Sequence, residues 1–191
     1  MVTTPIPSGA DFGIRFLARG LDLIFGFLLS LATGFASGII FVILSAVGLL
    51  PEHWQDALQT ESGNPYGLGI VASFLYHAFS EGIAGTTLGK LVCGLNVVQL
   101  DGRPCTMLGA FKRDLVYYLD GIFFGLVAYE SMKKSSLQQR HGDVWGKTVV
   151  VRKAIFLPNP KHSAWRVAVG ILIGSLAWMG TIFGSLLIHV L

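Results

Sequence analysis

Polar positions are sparse in this chain, and their spacing changes along it. From Leu23 to Leu50 there are 28 residues without a charge. At 1.5 Å per residue that is roughly 42 Å of helix, more than the ~30 Å of a hydrocarbon core. The run therefore predicts a tilted or projecting membrane helix, stopped at Pro51. A weaker apolar run, Tyr66 to Ser80, predicts a second span and ends in "HAFSEGIAG". Then the period shortens: "LNVVQL" before Asp101-Gly102 predicts a strand entering a tight hairpin turn. "MLGAFKRDLVYYLD" returns to a helical period and predicts an amphipathic helix lying on the membrane surface. "TVVVRK" predicts a second strand able to pair with "LNVVQL", and Ala168 to Leu191 predicts a last span. The expected fold is an all-α integral membrane protein with three or four membrane helices and a small cytosolic β-hairpin or strand pair.

Residues 115–129 are the ambiguous element. They are apolar apart from Asp120, and fifteen residues is short for a crossing. Charge in the loops bears on this. The 51–65 loop has no Lys or Arg, the 81–114 segment has four, and the 130–166 segment has eight. With the N-terminus cytosolic, a crossing third span would place those eight outside, against the positive-inside rule. A re-entrant 115–129 keeps both basic segments cytosolic and is the reading adopted; a crossing span is the alternative.

Composition agrees with a lipid environment: 52% of residues are hydrophobic and 13% charged, where a soluble domain has about 25% charged. The basic residues lie beside apolar spans, which fits anionic headgroups and argues against nucleic acid. Cys93 and Cys105 have no metal-ligand spacing and are expected as reduced cytosolic thiols. The N-terminus lacks the pattern of a cleaved signal, so insertion is expected to rest on the spans. Pairs of glycines four apart, Gly34/Gly38, Gly121/Gly125, Gly170/Gly174 and Gly180/Gly184, allow close helix packing in lipid, within the chain or between copies.

Charges beside and inside the spans are the candidate site. Arg15 and Asp22 are seven apart, on one helix face about 10 Å apart along the axis. Arg19 between them is expected to snorkel to headgroups. Ser73, His77 and Glu81 recur every four residues along the second span, and ionisable groups there point to function. Lys90, Arg113, Asp120, Arg140 and Asp143 complete a set at the cytosolic end. Buried charges need partners, so Arg15 with Asp143, or Arg140 with Asp22, is expected to tie the first helix to the second strand. "GTTLGK" is not a phosphate-binding loop, since Ala84 and Leu91 stand where glycine and a hydroxyl are needed. The five histidines show no paired metal spacing, and there is no nucleophile triad. No enzyme activity, cofactor or metal is expected.

Four blocks in order carry a family resemblance over residues 11–153. They are "RFLARGLD" with Arg15 and Asp22, and "GTTLGKLVCGLNVV" with Gly85, Thr87, Gly89, Lys90, Gly94, Val97 and Val98. "KRDLVYYLD" follows with Arg113 and Asp120, then "QRHGDVWGKTVVV" with Gln139, Arg140, Gly142, Asp143 and Thr148. This resembles the RDD family of bacterial integral membrane proteins. The resemblance implies that Arg15, Asp22 and Asp143 are the family's arginine and two aspartates. It divides the chain into an RDD-like domain, 1–153, and a linker with an extra C-terminal helix, 154–191, suited to assembly. It implies an inner-membrane protein, with transport of a small ligand or ion, including cation–proton exchange, as the leading function. A non-transporting scaffold that binds further copies or other membrane proteins is the alternative, and a lipid-headgroup binder at the basic surface is a third reading.

Overall fold

The first helix is longer than the apolar run. In the computed structural model, which describes residues 8–49, 65–120, 122–152 and 164–188, α1 spans Phe12–Ala46. Its start is set by Asp11, whose side chain accepts from the Ile14 amide at 3.1 Å, an N-cap worth about 1 kcal/mol. Arg15 and Asp22 therefore lie inside the helix. Its end is also earlier than expected. Gly48 adopts φ +67°, and the Leu49 amide returns to the Leu44 carbonyl at 2.9 Å, so a left-handed cap closes the helix. Pro51 and the acidic loop lie outside the described residues.

Eight further elements follow: α2 (Pro65–Ala84), α3 (Leu88–Val92), β1 (Leu95–Gln99), α4 (Met107–Asp120), α5 (Ile122–Lys134), α6 (His141–Trp145), β2 (Thr148–Arg152) and α7 (Ala164–Ile188). Among the described residues the chain is mostly helical, with one two-stranded sheet. Among the described residues α1 is the one helix long and apolar enough to cross a membrane.

β1 and β2 pair antiparallel, Leu95 opposite Arg152 and Gln99 opposite Thr148, as the two apolar strand patterns predict. The turn at Asp101-Gly102 also forms, with Gly102 at φ +81°. Its returning arm is only a bridge from Val98 to Pro104. The lasting partner of β1 is the distant β2, because Val97 and Val150 bury their side chains together with Ala10 and Ala18.

α2 and α7 form the tightest helix pair. A Cβ on Gly174 would lie 2.3 Å from the Ser80 hydroxyl, and one on Gly170 2.7 Å from the Ala84 Cβ, so this glycine pair is a packing face. Trp178 of α7 donates to the Ser30 hydroxyl of α1 at 2.9 Å and packs on Gly26. α7 is thus built into the bundle with α1 and α2. Gly34, Gly38 and Gly180 have nothing within 4 Å of a built Cβ. Gly121 and the segment 153–163, which includes most of the expected linker, lie outside the described residues.

α4 turns its charged side toward the rest of the protein. Arg113, Asp114 and Asp120 are buried, whereas Leu108 and Leu115 are exposed. Its polar face turns into the protein and its apolar face outward, because α2 and α6 carry the charges that its arginine needs. The 115–129 segment is divided between α4 and α5.

Candidate functional site

The charged residues that the sequence scatters over five elements meet at one end of the bundle. The first group forms around Asp143, fully buried at the start of α6. Its carboxylate accepts from its own N-cap, the Arg140 amide, at 3.1 Å, and pairs with the Arg15 guanidinium. Its other oxygen faces Arg113 at 3.4 Å and the Arg140 side chain at 3.7 Å. Burial alone would raise the Asp143 carboxyl, but Arg15, Arg113 and Arg140 outweigh it and hold it well below the usual carboxylate range. Arg15 also donates to the Gln138 carbonyl at 2.7 Å. Gln138 sits at φ +50°, a conformation uncommon outside glycine, and that turn presents its carbonyl to Arg15.

The second group forms around Asp22. The Thr87 hydroxyl donates to it at 2.7 Å, the Gly89 amide at 2.8 Å and the Tyr76 hydroxyl at 3.4 Å. Tyr76 in turn accepts from the Leu88 amide at 3.0 Å. Asp22 thus takes one of the free amides that open α3, that of Gly89, while Thr87, the N-cap, accepts from the Lys90 amide at 3.3 Å. This needs close approach: a Cβ on Gly89 would lie 2.0 Å from the Ala18 carbonyl oxygen. The motif "GTTLGK" is accordingly a dock for α1.

His77 completes this group. Its Nδ1 lies 2.7 Å from the Ser73 carbonyl oxygen, which can only accept, so Nδ1 carries the hydrogen. In the neutral ring Nε2 is then an acceptor. It faces the Asp22 carboxylate at 3.5 Å, with no hydrogen-bond partner and fully enclosed. With the ring neutral, two electron-rich atoms confront each other there; with the ring protonated, the two form an ion pair.

Glu81 and Arg113 connect the groups. Glu81 pairs with Lys90 and lies 3.3 Å from the Arg113 Nε, and Arg113 reaches Asp143 with its other end. Asp120 stands further out, accepting from the Gly142 amide at 3.3 Å and facing His141 at 3.0 Å. Arg19 stacks on Tyr117, 3.9 Å from the ring centroid. Five basic side chains, Arg15, Arg19, Lys90, Arg113 and Arg140, collect at this end of the bundle with five acidic ones, Asp22, Glu81, Asp114, Asp120 and Asp143.

Every sequence candidate except Asp120 therefore belongs to the two joined groups. Arg15 pairs with Asp143 as expected, while Arg140 meets Asp143 and not Asp22. The Ser73–His77–Glu81 stripe divides, His77 going to Asp22 and Glu81 to Lys90 and Arg113. The second Arg-x6-Asp pair, Arg113 and Asp120, makes no mutual contact. Tyr76, Asp114 and Tyr117 were missed. Thr87 and Gly89 were noted only as motif positions, although Thr87 before Lys90 is a readable helix start. Among the described residues no group of three His, Cys, Asp or Glu is placed to hold a metal ion.

Comparison with known families now bears on this geometry. A family model described as the RDD family matches residues 10–189. The chain belongs to the RDD family. The match runs through α7, past the last quoted motif. No curated protein and no solved structure matches the chain. In this RDD protein Arg15 and Asp143 are partners, while Asp22 anchors the opposite side of the knot. Family membership and the long apolar helix support a membrane protein.

Proposed function

We propose that this is a multi-pass inner-membrane protein that moves a small monovalent cation or proton, with its N-terminus in the cytosol. The observation that carries the function is the confrontation of His77 Nε2 with the Asp22 carboxylate at 3.5 Å. Two facing acceptors in a low-dielectric interior repel unless something positive lies between them. A shared proton satisfies them, and so does a monovalent cation, which makes the pair a competitive site for the two. Glu81 and Lys90, one helical turn on, are the next exchanging pair. Arg15, Arg113, Arg140 and Asp143 form the fixed half, because three guanidinium groups hold one carboxylate.

Helix lengths support the topology. By length, α1, α2 and α7, with 35, 20 and 25 residues, or about 52, 30 and 38 Å, reach across a core of ~30 Å, α1 being the one that also meets the apolar criterion among the described residues. α5 has 13 residues, about 20 Å, and does not span. It lies along the start of α1: the Phe12 and Tyr129 rings are 5.4 Å apart and Met132 touches Arg15. A re-entrant α4–α5 keeps the basic segments beside the α1 N-terminus.

A scaffold function is the second reading. It is favoured by the charge balance of the knot and by the open Gly34/Gly38 face of α1, where a second copy or another membrane helix could pack. Flux in proteoliposomes, loaded with a pH-sensitive dye and driven by sodium or potassium gradients, separates the readings. Transport requires a cation-dependent pH change in the wild type that Asp22→Asn and His77→Gln each reduce at least tenfold while the folded yield holds. Absence of flux in a correctly folded wild type favours the scaffold.

A further inference from the structure

Beside the knot, on the side away from Asp22, the first turn of α1 and the end of α5 enclose a pocket of about 340 Å³. Asp11, Phe12, Tyr129, Lys133, Ser135 and Ser136 line it. No candidate drawn from the sequence falls here. Asp11 and Lys133 line one pocket without pairing: Asp11 pairs with Arg152 at 3.1 Å in an exposed position, and Lys133 makes no ion pair among the described residues. Asp11 stays ionised, because the Ile14 amide, and then Arg152, hold its carboxyl below the usual value. The Phe12 and Tyr129 rings meet edge to face, 5.4 Å apart, next to Asp11 in the chain. Tyr129 lies one turn before Lys133 on α5, and the Ser135 and Ser136 hydroxyls follow directly.

The pocket therefore offers two different ends. Asp11 with two aromatic rings suits an ammonium group, and Lys133 with two hydroxyls suits a phosphate. An anion alone would face Asp11, and a cation alone would face Lys133; a ligand carrying both charges a few bonds apart satisfies both. We propose that the pocket binds a phosphoethanolamine group, carried on a membrane lipid or free in solution. The volume is adequate for a small ligand, and Asp11 precedes the exposed apolar side chains Phe16 and Leu17 by about 8 Å along α1, which is headgroup level in the proposed topology. The lipid source rests on that membrane topology; it does not depend on transport. An occupant would also touch the support of Arg15, since Met132 and Gln138 line the same pocket and both contact the Arg15 guanidinium.

Native mass spectrometry of the full chain in detergent tests this, with phosphatidylethanolamine and phosphatidylglycerol of matched acyl chains. The expected result is at least tenfold tighter retention of phosphatidylethanolamine. Lys133→Gln and Asp11→Asn should each abolish that preference with unchanged circular dichroism, Asn being as good an N-cap as Asp. Soluble phosphoethanolamine is added as a competitor. Displacement shows that the head group alone is recognised, so either source serves; retention of the lipid against it assigns the lipid. Equal retention of the two lipids by the wild type, or a preference unchanged in both variants, would overturn the assignment.

Discussion

Asp143→Asn removes the one charge that three guanidinium groups share. The carboxylate is fully buried, paired with Arg15, and 3.4 and 3.7 Å from Arg113 and Arg140. Removing one partner of a buried ion pair costs about 3–5 kcal/mol, because the remaining charge is stranded. Asn keeps an oxygen for the Arg140 amide, so the cap of α6 survives and the loss isolates the charge. We expect about 4 kcal/mol, a large share of a total stability of about 5–15 kcal/mol. The assay is reversible denaturant unfolding in micelles, followed by tryptophan fluorescence. A double-mutant cycle with Arg15→Met should return a coupling of at least ~1.5 kcal/mol. The pH dependence follows the same carboxylate. Its folded-state value is depressed, so its stabilisation is complete above the unfolded value of about 4 and lost as the pH falls toward the folded one. The wild type should therefore destabilise on acidification below about pH 4, and Asp143→Asn should flatten that slope. A variant within about 1 kcal/mol of wild type, with coupling near zero, would refute the buried-pair reasoning.

Two other predictions test packing and topology. Gly174→Ala puts a Cβ 2.3 Å from the Ser80 hydroxyl and 2.8 Å from the Tyr76 carbonyl, so it should cost about 1–3 kcal/mol by overpacking. Gly34→Ala meets open space and should be neutral for the single chain; the same denaturation curves compare them. Ser136→Cys, in the segment after α5, should resist a membrane-impermeant thiol reagent in intact cells and react once the cells are opened; labelling from outside would require α4–α5 to cross.

The part of the site legible in the sequence was the part governed by charge. Arg15 and Asp143 lie 128 positions apart, yet neither is stable alone at a membrane face, so their pairing follows from need. The strand pair was legible for a related reason, since two apolar runs of period two have one obvious way to bury their faces. Asp22 was harder. It shares a helix face with Arg15, which argues for one network, but α3 wedges onto α1 at Gly89 and gives that amide to the carboxylate. That outcome depends on where a five-residue helix docks, which no periodicity encodes. Tyr76 was invisible for the same reason. The partners of α4 were not legible because amphipathicity gives two faces without saying which neighbour covers the polar one; here Glu81 and Asp143 cover it through Arg113. The end of α1 was misjudged because Gly48 stops the helix before the proline is reached.

The most direct measurement concerns His77 itself. In histidine-labelled protein reconstituted in bilayers, the nitrogen resonances of His77 are assigned by their loss in His77→Gln. The expected result is a hydrogen kept on Nδ1 and an Nε2 signal that moves with both pH and monovalent cation, the movement vanishing in Asp22→Asn. A bare Nδ1 with the hydrogen on Nε2, or an Nε2 signal indifferent to protons and cations alike, would contradict it.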